Sequence, residues 1–87
     1  MSFVFQGGSP KLLTSSGTIC DRPGVLLGFY VASTSGGTIV LNDNATAVSG
    51  TITPAVGYHS FPCGFGTSIK ATIGGTISVT FFYMPAK

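Results

Sequence analysis

Large apolar side chains fall on every second position through the last third of the chain. This two-residue period constrains the fold more than any other feature. Ile77, Val79, Phe81 and Tyr83 form one row, with Ser78 and Thr80 between them. Ile69, Ala71 and Ile73 form a second row, and Val25, Leu27, Phe29 and Val31 a third. Successive side chains of a strand point to opposite faces, so each row marks the covered face of a strand. A helix would place its apolar residues three and four apart. Composition agrees: Gly, Ser and Thr make up 34 of the 87 residues, and strong helix formers are scarce. A helical bundle does not fit, and no heptads support a coiled coil.

Glycine punctuates these rows. Gly-Thr-Ile begins at Gly17, Gly37, Gly50 and Gly75. The unequal spacings exclude a solenoid or a propeller. Between the glycines the sequence predicts short strands at Phe3-Val4-Phe5, Thr18 to Cys20, Val25 to Ser33 and Thr38 to Leu41, with Leu12 to Thr14 extended. Further strands are expected at Gly50 to Thr53, Thr67 to Ile73 and Thr76 to Tyr83, with Gly57 to Phe61 extended up to Pro62. Turns are expected at Asp21-Arg22-Pro23-Gly24, Ser35-Gly36-Gly37 and Asn42-Asp43-Asn44. Gly74-Gly75, flanked by two apolar rows, is the clearest hairpin signal. The expected fold is all-β, a small antiparallel sandwich or barrel of about seven to eight short strands. A chain of 87 residues forms one domain, here 1–87, with 1–16 as an extended N-terminal segment.

Charge narrows the function classes. Only 7% of residues are charged, namely Lys11, Arg22, Lys70, Lys87, Asp21 and Asp43. A soluble domain usually has ~25%. The four cations form no run, so no nucleic-acid partner is expected. The longest apolar run, Val25 to Ala32, is far short of the ~20 residues of a membrane helix and reads as a buried strand. The first residues lack the positive flank of a signal peptide, so the expectation is a protein made in a cytoplasm. Without a secretion signal, Cys20 and Cys63 are expected to be free thiols.

No constellation for catalysis stands out. His59 is the only histidine, and Asp21 and Asp43 lie in turn sequences that favour Asp structurally. There is no Gly-x-Ser-x-Gly elbow and no Gly-Lys of a phosphate loop. Asn42-Asp43-Asn44 lacks the further carboxylates of a calcium loop. Two cysteines and one histidine fall short of a zinc site. The protein is therefore read as non-enzymatic, with no cofactor and no metal. His59 is read as a structural or interface residue.

The residues that break the alternation carry the interaction hypothesis. Leu26 and Tyr30 lie opposite the Val25 row, Phe82 and Met84 lie opposite the Phe81 row, and Val40 lies opposite Ile39 and Leu41. Tyr58 sits in an extended segment. These six are the candidate protein interface, because large apolar residues facing outward from a poorly charged domain mark a binding surface. A short chain with a small core and surplus apolar side chains is also expected to self-associate, as a closed homotrimer.

From Gly24 to Tyr83 the chain resembles a group of small β-rich structural proteins of tailed phages, the capsid decoration (cement) proteins. The resemblance rests on Gly24-Val25-Leu26-Leu27-Gly28-Phe29-Tyr30-Val31, on Gly37-Thr38-Ile39 with Asp43 and Ala45-Thr46-Ala47, and on Ser49-Gly50-Thr51-Ile52. Phe61-Pro62 with Phe65 and the ending Gly74-Gly75-Thr76-Ile77-Ser78-Val79-Thr80-Phe81-Phe82-Tyr83 complete it. The group's usual ending is a β-branched run before an aromatic, and Phe81-Phe82 is more aromatic than that. These are turn and core motifs. The resemblance implies a virion component on the capsid exterior, with the major capsid protein as partner and no membrane. Another virion role, such as a tail or fibre-attachment part, and a small carbohydrate-binding module are the alternatives.

Overall fold

The computed structural model describes residues 9–85 and is all-β, with six antiparallel strands. They are β1 (Ser9–Leu13), β2 (Gly17–Cys20), β3 (Gly24–Asp43), β4 (Thr46–Ala47), β5 (Gly57–Phe65) and β6 (Ile69–Pro85). The expected strand at Phe3-Val4-Phe5 lies outside the described residues. Residues 9–13 of the expected N-terminal segment form β1, which pairs with β6, and after it the Ser16 hydroxyl bonds the backbone of Ile73.

Two long strands form the frame. β3 and β6 pair along their whole lengths, from Gly24 opposite Pro85 to Asp43 opposite Ile69. Extended, the 20 residues of β3 would reach ~66 Å at ~3.3 Å each. The longest dimension of the molecule is 42 Å, so the ladder must bend. The bend is severe. Phe65 pairs with Gly24 at one end of β3, while the amides of Gly66 and Thr67 bond the Asp43 carboxylate at the other. Two adjacent stretches of backbone thus touch both ends of β3, and the ladder doubles back on itself.

The result is two limbs. In the first, the order is β5, β3, β6, β1; in the second it is β4, β3, β6, β2. Sheets of a sandwich can share strands in this way when bends or bulges turn the corner. The inner faces enclose one core, in which Leu26, Phe29, Val31, Val79 and Phe81 come from the first limb and Ile39, Leu41, Ile69 and Ala71 from the second.

Two expected turns are corrected here. Ser35-Gly36-Gly37 does not end a strand, and Gly74-Gly75 is not a hairpin. Both lie inside the long strands and face each other, with Gly36 opposite Thr76 and Thr38 opposite Gly74. Gly36 and Gly75 have φ of 68° and 70°, a conformation that costs other residues dearly. The paired glycines form the corner. Gly37 is buried there, and an added Cβ would stand 2.4 Å from Ile77 Cβ. The tight hairpin lies elsewhere: β3 returns into β4 through Asn44-Ala45, with Asn44 at φ 56°. Merging four expected strands into two leaves fewer and longer strands. The strand expected at Gly50 to Thr53 reduces to Ile52, which exchanges backbone bonds with Ile39.

The Val25 row is corrected as well. β3 is three residues longer than the 17-residue β6 it pairs with, and the register shifts three times, between Leu26 and Gly28, Val31 and Ser33, and Ser35 and Gly36. A bulge adds a residue to one strand and reverses the alternation beyond it. Leu27 is the first such residue. Before it, Leu26 faces inward and Val25 outward; after it, Phe29 and Val31 face inward as expected. β5 crosses the same level at Phe61-Pro62 with its own irregularity, where a proline is tolerated.

Candidate functional site

The outer face of the first limb is the most distinctive surface. Cross-strand pairing places residues in rows, because directly opposed residues share a face. Leu12, Thr80, Tyr30 and Tyr58 form one row across all four strands. Pro10, Phe82, Gly28 and Ser60 form the next, and Met84, Val25 and Gly64 the third. No residue in these rows is charged. Leu12, Val25, Tyr30, Tyr58 and Met84 are each at least 42% exposed.

Gly28 organises the middle of this face. The Tyr58 ring lies across it, so that an added Cβ would stand 2.3 Å from the Tyr58 hydroxyl and 2.6 Å from the His59 carbonyl. Lying over the glycine, Tyr58 reaches Phe82, with ring centroids 6.1 Å apart and planes tilted by 52°. Tilted aromatic pairs at this distance attract one another beyond their area burial. Beneath the sheet His59 packs against Phe29, with centroids 5.3 Å apart, and its Nε2–H donates to the Ala55 carbonyl at 2.8 Å. These contacts account for His59 structurally.

Of the six candidate interface residues, Tyr30, Tyr58, Phe82 and Met84 meet on this face. Leu26 does not. It is wholly buried in the core, and the bulge at Leu27 is the reason. Val40 is half-buried on the second limb, opposite Thr72 and away from the other four. Leu12 and Val25 belong to the face and were missed. Leu12 is recognisable only once β1 is known to pair with β6. Alternation alone puts Val25 on the core face, because the bulge is silent in the sequence.

The outer face of the second limb is different. Thr38, Val40, Asn42, Thr72, Lys70 and Thr18 occupy it. Asn42 Nδ2 donates to Thr72 Oγ1 at 2.9 Å, and Lys70 Nζ donates to Asn44 Oδ1 at 3.5 Å. Asp43 closes the end of the fold. Its carboxylate accepts the N–H groups of Gly66, Thr67 and Ser68 at 3.0, 2.9 and 3.3 Å. Hydrogen bonds from Gly66 first, and from its two neighbours, hold the Asp43 carboxyl below its ordinary acidity range.

Both cysteines are free thiols, Cys20 buried and Cys63 half-buried. Among the described residues no three His, Cys, Asp or Glu side chains gather as metal ligands, and no helix is long and apolar enough to cross a membrane. Comparison with family models, with known proteins and with solved structures gives no match.

Proposed function

We propose that the protein is a non-enzymatic virion component that binds and stabilises a phage capsid lattice from outside, as a decoration protein. The observation that carries this reading is the uncharged, aromatic outer face of the first limb. Exposed ion pairs contribute only ~0–1 kcal/mol each, and six charged residues supply few of them. Aromatic anchors buried at an interface can each cost ~2 kcal/mol or more when truncated. Tyr30, Tyr58 and Phe82 supply such anchors on the outer face of the first limb, with Met84 beside them. The likeness of Gly24 to Tyr83 to cement proteins supports the same partner, the major capsid protein. Threefold and quasi-threefold positions of a shell would suit a homotrimer of the protein.

The test is attachment to the particle. Tyr30→Ala and Phe82→Ala should each lower occupancy ~30-fold or more without unfolding the domain. Thr72→Ala, on the second limb, should leave occupancy unchanged. Attachment should survive molar salt, because apolar contacts are not screened. Release by salt, or unfolding of both aromatic variants, would refute the apolar attachment. A cryo-EM count of copies separates the rival virion roles: on the order of hundreds on a symmetric shell means decoration, whereas about a dozen or fewer means a tail or fibre part. Binding to glycans with none to particles would favour the carbohydrate module.

A further inference from the structure

Charge is scarce in this chain, and half of it gathers in one place. Of the six charged residues, Lys11, Asp21 and Arg22 line a single open groove of about 670 Å³. Ile19 and Tyr83 line it too. The groove lies on the side of the sandwich where β1 flanks β6 in the first limb and β2 flanks it in the second. Asp21 and Arg22 come from the turn that follows β2.

Lys11 departs from the pattern of its strand. It stands opposite Phe81, and Leu13, two residues on, stands opposite Val79. Both partners are core residues, and Leu13 packs against the core. Opposed residues share a face, so position 11 belongs to an apolar row. The chain places an exposed ammonium there instead, at the groove between the two edge strands. The other described charges facing groups of their own are Lys70, which donates to Asn44, and Asp43, which accepts three backbone N–H groups; Lys11 and Arg22 have no such partner among the described residues.

We propose that this groove is a binding site for one oxyanion group, a carboxylate or a phosphate. The Arg22 guanidinium offers a planar fork of donors and the Lys11 ammonium a compact charge, the two kinds of donor that such a group takes. Asp21 limits the site. Two cations against one carboxylate leave a single positive charge, which suits one anionic group and not a nucleic-acid backbone.

This inference stands apart from the capsid reading and is tested without a particle. Inorganic phosphate, and acetate in parallel, are titrated into the full chain at constant ionic strength and followed by NMR. At least one of them should give saturable shifts at Thr18, Arg22 and Tyr83, with Lys70, a cation outside the groove, unmoved. The tighter of the two names the group. Arg22→Gln and Lys11→Gln should each weaken binding ~5-fold or more, and Asp21→Asn should tighten it. Opposite signs from neighbouring positions are a readout that a merely structural role would not give. The proposal fails if neither anion gives saturable shifts, or if Lys70 responds equally, since screening alone would then explain the response. It also fails if Lys11→Gln binds as before and self-associates more strongly, because Lys11 would then guard the β1 edge against pairing.

Discussion

The two limbs share their central strands, yet their outer faces have opposite chemistry. On the second limb, Thr18, Thr38, Thr72, Asn42 and Lys70 face outward around one half-buried apolar residue, Val40, and Asn42 and Lys70 bond to neighbouring side chains. That face is mostly polar. On the first limb, the same two strands turn Tyr30, Phe82, Val25 and Met84 outward, and the flanking strands add Leu12 and Tyr58. A core needs only inner faces, so this second set lies outside what the core itself requires, and the proposed function rests on that difference.

The sharpest way to break the comparison is to exchange inside for outside. Leu26→Ala should cost about 2–5 kcal/mol, because it empties part of a closed core. Tyr30→Ala, four residues away on the same strand, should cost well under half as much in folding. Denaturant titration of both variants decides the matter, and a mild Leu26→Ala with a severe Tyr30→Ala would reverse the assignment of faces.

A smaller effect is expected at the corner that separates the limbs. Gly37→Ala pushes a methyl group into Ile77 and the Thr76 carbonyl and should cost about 1–3 kcal/mol. Gly36→Ala has open space but a positive φ, and should cost about 1–2 kcal/mol through backbone strain alone. Were both substitutions neutral in thermal melts, the corner would not lie at these glycines.

The smallest effect concerns the clasp at the opposite end. The folded state holds the Asp43 carboxyl below its usual 3.8. Such a group binds its proton more weakly folded than unfolded, so its contribution is complete above the unfolded value and fades as pH falls through the lower, folded one. Melting temperature measured from pH 6 downward should therefore fall on the acid side, and Asp43→Asn should flatten that limb of the curve. An unchanged acid limb in Asp43→Asn would show that the three amide bonds contribute nothing.

Residues along β6 were legible because that strand keeps one alternation through Ile77, Val79 and Phe81, and all three are buried. β3 was legible only in part. Its three extra residues are ordinary side chains and one glycine, and a bulge is decided by the strand opposite, which the local sequence does not contain. Leu26 and Val25 exchanged faces for that reason. Gly74-Gly75 misled for a related one. A glycine at positive φ serves a hairpin turn and a strand corner equally well, and only the presence of Gly36-Gly37 across the ladder distinguishes them. Within the candidate site, Tyr30, Phe82 and Met84 could be found by alternation. Their meeting with Tyr58 and Leu12 depends on pairing with β5 and β1, which are distant in sequence.

The shared ladder also sets how the molecule must come together in time. Neither layer has central strands of its own, so neither can form and wait for the other. The chain's unfolding should follow a single cooperative transition. Pairing can start at Asp43 and Ile69, where the intervening loop is shortest, and each later step towards Gly24 and Pro85 extends a ladder whose loop is already closed. Contacts this remote along the chain place folding on the slow side, in milliseconds to seconds. The corner glycines lie midway along that path, where the growing ladder has to turn before its second half can zip.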